Sequence, residues 1–200
     1  MTQLRDRPID PSPNSTDKTL IVEQRTWEQF QWLRQGFEGT SGVRLGYYRG
    51  TIEIVMPGEE HEFFKTIIGF LIELFLIEKG IDLIPAGSMT QEKKGLVSLQ
   101  ADESYWIIAK KEIPDLSIEV IFTSGNSSKL ERYQALGVPE VWFWEDGVFA
   151  LYHLREDGYD RIEASELPGL TELNIQLLSQ CVLLAQTSRV EAVRQFRQGI

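Results

Sequence analysis

The chain has 200 residues, 42% of them hydrophobic and 25% charged, so it can bury one core and is not composed like a disordered protein. Its net charge of −10 argues against general electrostatic attraction to DNA or anionic lipid. A lone cysteine, Cys181, excludes an internal disulfide, and no apolar run approaches the roughly 20 residues of a membrane span. We therefore expect a cytoplasmic protein without membrane association.

The first part of the chain predicts a tail, two helices and a hairpin. Residues 1–19 are rich in Pro, Ser, Asn and Thr and indicate a flexible tail. Thr26 is a candidate N-cap for a helix over residues 27–37, and residues 43–56 indicate a β-hairpin. A longer helix is predicted from about Glu60 to Glu78, because apolar residues recur there at spacings of three and four.

The second part predicts strands interrupted by short helices. The segment Leu116–Phe122 is nearly all apolar and β-branched, which is typical of a central strand buried on both faces. A loop over Ser124–Ser128 leads into a helix over Lys129–Leu136, and one or two helices are expected over residues 174–196. The other predicted strands cover residues 81–85, 101–108, 141–144, 148–154 and 159–163.

These elements predict an α/β fold. We expect one mixed β-sheet flanked by helices, in a single domain over residues 20–200.

Glu119 is the most unusual residue of this pattern, because it lies in the middle of a strand that is otherwise apolar. A buried carboxylate costs several kcal/mol unless a cation or hydrogen-bond donors accompany it. One explanation is an ion pair with a buried Arg or Lys. The other is a functional site, since costly groups concentrate at such sites.

A functional site would need a second acid near Glu119. Asp115 lies about 13 Å away along the same strand, too far to share one metal ion, and it follows Pro114 as a turn residue would. Asp102 opens the preceding predicted strand, and strands that pair lie about 4.8 Å apart. Two such acids could bind one Mg²⁺.

Lys129 is the candidate cation of this site. It falls in the first turn of the helix after the Glu119 strand, where a positive charge is unfavourable for the helix dipole. From there its ammonium could orient a water molecule or stabilise charge on a phosphate. The alternative is a solvent-exposed lysine.

Several segments around these residues resemble known nucleases. An acid at a strand start, followed by an acid within the neighbouring strand and a nearby lysine, resembles the PD-(D/E)XK nuclease pattern. More specifically, the chain is similar over about residues 20–185 to the Uma-two family of restriction-endonuclease-like proteins. The matching segments are YRGTIEIVMP (48–57), His61-Glu62, ADESY (101–105), PDLSIEVI (114–121), KLERY (129–133) and GVPEVWFW (137–144).

The resemblance implies a restriction-endonuclease-like fold and assigns roles to individual residues. Asp102 matches the first acid and Glu119 the second, so both are expected to bind the metal. Lys129 matches a catalytic lysine displaced from the strand to the following helix. Glu53 and His61 match recurrent polar positions near the site and are second-tier candidates.

The chain departs from the family pattern at two positions and in one surface feature. Ala101 replaces the usual proline before the first acid, and Ile121 stands where the strand lysine is expected. No long basic groove is evident. Catalysis would therefore depend on Lys129 reaching the acids. The acidic net charge and the lack of a basic groove argue against DNA as the substrate.

We predict a Mg²⁺-dependent or Mn²⁺-dependent endonuclease that hydrolyses phosphodiester bonds of DNA. One cysteine and two histidines leave oxygen ligands for the metal. Two alternatives stay open: a catalytically silent nuclease-fold module for binding or assembly, and a hydrolase of a small phosphorylated substrate. A homodimer is expected, with apolar surfaces and the aromatic rings of Trp142 and Trp144 as interface candidates.

Overall fold

Two β-sheets and five α-helices form the part of the chain that this computed structural model describes, residues 17–122 and 126–200. The first sheet is antiparallel throughout. Its strands, in spatial order, are β1 (Lys18–Val22), β3 (Thr51–Met56), β2 (Arg44–Tyr48), β6 (Val97–Gln100) and β5 (Thr90–Lys93).

The second sheet is mixed and carries the central strand that the sequence predicts. Its strands, in spatial order, are β11 (Gly158–Ile162), β10 (Val148–Arg155), β9 (Glu140–Glu145), β8 (Leu116–Ile121), β7 (Glu103–Ile107) and β4 (Leu83–Pro85). β8 and β9 run parallel, connected by the crossover helix α3 (Asn126–Leu136), and the other pairs are antiparallel. All six residues of β8 are buried.

Helices cover the sheets on different faces. Besides α3 they are α1 (Trp27–Gly36), α2 (Glu59–Glu78), α4 (Ile175–Leu184) and α5 (Arg189–Gln198). Apolar residues of α2, α4 and α5 form the largest core with one face of the second sheet, including Ile118 and Val120 of β8. α1 packs on the first sheet through Phe30.

The opposite face of β8 is covered by α3 and by part of the first sheet. Val97 and Leu99 of β6 join Ile121, Tyr133 and Val141 in a second core. Because side chains alternate along a strand, Glu119 points to the same face as Ile121. The two sheets therefore meet where Glu119 lies.

The structure divides between two sheets the strands that the sequence assigned to one. β6 pairs with β2, and β5 pairs with β6, so this part of the chain extends the first sheet instead of the second. Most of the predicted tail, residues 1–19, lies outside the described residues, but Lys18 and Thr19 begin β1. The predicted loop over Ser124–Ser128 also falls partly outside them, and α3 begins at Asn126 instead of Lys129.

Two further expectations can be compared with the structure. Trp142 and Trp144 are buried in the large core, so they offer no surface for the predicted homodimer. Among the described residues, no helix has the length and hydropathy needed to cross a membrane.

Candidate active site

A small pocket of about 160 Å³ lies at the junction of the two sheets and contains the predicted acids. β2, β3, β6, β8, α2 and α3 all contribute to its walls, and Asp17 reaches it from the residue before β1. The charged and ionisable residues that line it are Asp17, Arg44, Glu53, His61, Asp102, Glu119, Lys129, Arg132 and Tyr133.

Asp102 is fixed beside β8 by two backbone hydrogen bonds. Its amide N–H donates to the Ile118 carbonyl at 3.1 Å, and its Oδ2 accepts the Val120 N–H at 2.6 Å. Asp102 directly precedes β7, which pairs antiparallel with β8. The side chain is buried, so the structure places the first predicted acid at the pocket next to the Glu119 strand.

The other oxygen of Asp102 contacts two basic side chains. Oδ1 forms an ion pair with Arg44 and lies 2.8 Å from Nε2 of His61. The second ring nitrogen of His61, Nδ1, lies 2.8 Å from Oδ2 of Asp17. The imidazole is thus held between two carboxylates, which fixes its orientation toward Asp102.

Glu119 is held by two side chains of α3. Its Oε2 accepts a hydrogen bond from the Lys129 Nζ at 2.7 Å, and its Oε1 accepts one from the Tyr133 hydroxyl. Lys129 and Tyr133 are four residues apart, so they lie on one face of the helix. The structure therefore brings Lys129 to the second acid, although Ile121 occupies the position expected for a strand lysine.

These contacts set the protonation of the pair. Burial alone would raise the pKa of Glu119, but the charge and hydrogen bond of Lys129, with the Tyr133 hydroxyl, lower this pKa below its ordinary value. Burial, followed by the negative charge of Glu119, raises the pKa of Tyr133 well above its ordinary value. Glu119 is therefore ionised at neutral pH, and Tyr133 remains a hydroxyl donor.

The second-tier candidates line the pocket as well. Glu53 of β3 forms an ion pair with the Arg132 guanidinium, and His61 contacts Asp102 as described. The Nε atom of Arg132 is buried and has no hydrogen-bond partner among the described residues. Four carboxylates and three cations thus line the same pocket as His61.

The donor set of the pocket can be tested against a divalent metal ion. No group of three or more His, Cys, Asp or Glu side chains within the described ranges is arranged to hold a metal by itself. Mg²⁺ usually takes one or two carboxylates and completes its shell with water and substrate phosphate. Asp102 and Glu119 line one pocket and supply two carboxylates; because each of their oxygens already has a donor or cation partner, a metal ion would have to share or replace those contacts.

Four residues of the pocket were not singled out by sequence reasoning: Asp17, Arg44, Arg132 and Tyr133. Tyr133 carried a signal, since its spacing from Lys129 places both on one helical face. Asp17 and Arg44 carried none, because Asp17 contacts His61, 44 residues further along the chain, and Arg44 pairs with Asp102, 58 residues further along.

Other charged residues lie outside the pocket and have local partners. Asp115 accepts the Ile107 N–H at 2.9 Å and a hydrogen bond from Lys111 at 2.5 Å, as expected for a turn residue. The Lys110 ammonium lies 5.2 Å from the centre of the Trp106 ring.

Comparisons with known proteins place this site in a wider context. A family model described as "Uma2: Putative restriction endonuclease" matches residues 27–185. The chain is also similar to the crystal structure of "a putative nuclease belonging to DUF820 from Anabaena variabilis ATCC 29413", with a TM-score of 0.57 and 17% identity. That alignment covers 78% of this chain and 98% of the other and shows a common fold. No curated protein sequence matches the chain.

Proposed function

The chain belongs to the Uma2 family of restriction-endonuclease-like proteins, and from this we propose that it is a metal-dependent endonuclease that hydrolyses phosphodiester bonds of DNA. The family supports a nuclease-like function. The observation that carries the specific proposal is the Lys129–Glu119 contact of 2.7 Å in the pocket that also contains Asp102. Two acids could hold a metal ion, and one nearby cation could stabilise charge on a phosphate, which suits phosphodiester hydrolysis.

Asp102 and Glu119 would hold the metal, Mg²⁺ or Mn²⁺. Such an ion, when bound, polarises a phosphoryl oxygen and lowers the pKa of a coordinated water. The protein contributes the orientation of the two carboxylates. The Val120 N–H and His61 hold Asp102, and Tyr133 holds Glu119, so neither acid has to be ordered when the ion arrives.

Lys129 would stabilise the negative charge that develops on the phosphate. Its ammonium already lies beside Glu119, so it can contact a phosphoryl oxygen next to a metal on that acid. This arrangement offers a physical substitute for the strand lysine that Ile121 replaces.

The charges around the pocket explain how an acidic protein could bind a phosphate. Arg44, Lys129 and Arg132 almost balance the four carboxylates, so the pocket is far less negative than the net charge of −10 suggests. A bound divalent cation would make the pocket positive overall. Affinity for phosphate is then expected to depend on the metal.

The experiment is a cleavage assay with labelled single-stranded and double-stranded DNA in Mg²⁺, Mn²⁺ or EDTA. We expect metal-dependent cleavage by the wild type and none by Asp102→Asn. Asp115→Asn, which changes a buried acid outside the pocket, should retain activity. No cleavage by the wild type, or equal cleavage by Asp102→Asn, would overturn the proposal.

A hydrolase of a small phosphorylated substrate is the second candidate. It is favoured by the pocket volume of about 160 Å³. The same proteins can be tested with bis(p-nitrophenyl) phosphate. Hydrolysis of this compound without cleavage of any DNA would favour the second candidate over the first.

A further inference from the structure

A second, larger groove lies next to the candidate active site and shares residues with it. It has a volume of about 600 Å³, within the usual range of ligand sites. α1 and the segment after it form one side, and β2, β5 and β6 form the other. Leu45 and Gln100 line both spaces: the groove, on the face of the first sheet that α1 covers, and the pocket of Asp102 and Glu119, on the opposite face. The pairs that join β2 to β6 are Tyr47–Ser98 and Tyr48–Val97, so this ladder stops before Leu45 and Gln100, and a ligand could pass between the two faces there.

Trp32 is the most unusual residue of this groove. The apolar residues Phe30 and Leu33 of α1 pack into the core of the first sheet, but the Trp32 side chain is 70% exposed. An exposed indole gains little for folding. A flat aromatic surface at the edge of a ligand groove is, however, suited to stacking against another planar ring.

The rest of the groove offers uncharged hydrogen-bonding groups. Gln35, Thr40, Thr90 and Gln100 supply amides and hydroxyls along its walls. The Ser98 side chain lines the groove and is fully buried, yet its hydroxyl has no partner in the described part of the chain. A buried hydroxyl without a partner is costly, and a ligand group at the floor of the groove could complete its hydrogen bond.

Charge distinguishes the groove from the active-site pocket. Its charged lining residues are Arg34 and Glu38, and Arg34 is already paired with Glu92 at 2.7 Å and hydrogen-bonded to Gln31 at 2.6 Å. The groove therefore offers little attraction to a phosphate. Planar stacking and neutral donors and acceptors instead match the chemistry of a nucleobase.

We propose that this groove binds an unpaired base of the substrate, one that neighbours the phosphate in the active-site pocket. The inference rests on the proposed function and extends it to a substrate class. Trp32 cannot stack on a base that is paired within a duplex, so the substrate is single-stranded nucleic acid or a duplex with an unpaired nucleotide near the cleavage point. This recognition also reduces the dependence on phosphate contacts, which suits an acidic protein.

The test measures binding without cleavage, by fluorescence anisotropy of a labelled single-stranded oligonucleotide in Ca²⁺ or EDTA. Trp32→Ala should weaken binding about tenfold or more, and Trp32→Phe should retain most of the affinity. Val190→Ala, which removes an equally exposed side chain of α5, should change nothing. Ser98→Ala should weaken binding several-fold without lowering the melting temperature.

An oligonucleotide series with a single abasic position separates stacking from other effects. At one register, the abasic substitution should weaken binding to the wild type as much as Trp32→Ala weakens binding to the intact strand. The two changes together should weaken binding no further. Equal affinity of wild type and Trp32→Ala overturns the inference, even if the protein cleaves DNA. Trp32-dependent binding without cleavage supports the inference and overturns the proposed function. Loss of self-association in Trp32→Ala, with unchanged oligonucleotide binding, would instead assign Trp32 to a protein interface.

Discussion

Two buried glutamates on the neighbouring strands β8 and β9 have very different surroundings. Glu140 is fully buried and accepts hydrogen bonds from Trp142 Nε1 at 2.9 Å, Ser165 Oγ at 2.8 Å and the Glu166 N–H at 2.6 Å. His153 Nδ1 lies 3.0 Å from Oε1 of Glu140, the oxygen that also accepts the Glu166 N–H. Glu119 is held by one ammonium and one hydroxyl, and it borders a pocket.

The difference shows how a buried carboxylate can be assigned a role. The oxygens of Glu140 are occupied by donors that belong to the fold, so its charge stabilises the junction between β9, β10 and the segment at Ser165. Both oxygens of Glu119 also accept hydrogen bonds, from Lys129 and Tyr133, but this carboxylate borders a pocket that a ligand can fill. A buried carboxylate whose partners all belong to the fold has a structural role, whereas one that also borders a pocket is a candidate functional residue.

The largest effect should come from removing the charge of Glu119. Glu119→Gln should lower DNA cleavage by about 10³-fold, because the proposed metal site would lose a charged ligand. The same change at Glu140 should leave the cleavage rate of the folded protein within about twofold. Initial rates at 25 °C, with folding checked by circular dichroism, test both. Similar losses at the two positions would remove the distinction between them.

A smaller loss of activity is expected at Lys129. Lys129→Met should reduce cleavage about 10²-fold, because charge on the phosphate loses its nearest cation. The affinity for Mn²⁺ should be retained, since both carboxylates remain. Lys94→Met, in the turn between β5 and β6, is the matched control and should have wild-type rates. An unimpaired Lys129→Met enzyme would remove this residue from the mechanism.

The stability of the fold should change more at Glu140 than at Glu119, the reverse of the order expected for activity. Glu140→Gln is expected to destabilise the protein by about 2 kcal/mol, because an amide presents N–H groups to donors that need an acceptor. Urea unfolding measures this change, with the exposed Glu131→Gln as a control that should be neutral. A neutral Glu140→Gln variant would show that its hydrogen bonds contribute little.

The smallest effect concerns the pH dependence of stability. The folded-state pKa of Glu119 is lowered from 4.5, against the raising effect of burial, by Lys129 and Tyr133. Its stabilising contribution is therefore complete above the unfolded pKa and is lost as the pH falls through the lowered folded value. Melting temperatures without metal should decline less steeply below about pH 4.5 in Glu119→Gln than in the wild type. Parallel curves would contradict this.

Local patterns predicted much of the fold but not its division into two sheets. The apolar run of β8 and the periodicity of α2 are strong signals, and both elements form where expected. β1 shows four exposed residues out of five, and β5 and β6 have four residues each. Such short or exposed strands lack a clear alternation, so their pairing cannot be inferred from the sequence alone.

The candidate site divides in the same way. The sequence could place Asp102 beside Glu119 because Asp102 directly precedes the strand β7, which pairs with β8. It could place Lys129 near Glu119 because helix α3 follows β8 in the chain. The Arg132–Glu53 pair joins residues 79 positions apart and depends on how the first sheet packs against α3. Local sequence does not encode that packing, so Arg44 and Arg132 were not predicted at the pocket.

The central question for this protein is whether Asp102 and Glu119 bind one metal ion. Calorimetric titration of Mn²⁺ into the wild type, Asp102→Asn and Glu140→Gln measures this without a substrate. We expect one site in the wild type, the same site in Glu140→Gln, and no measurable binding to Asp102→Asn. No binding to the wild type, even with an oligonucleotide added to complete the metal's coordination shell, or equal binding to all three proteins, would contradict this expectation.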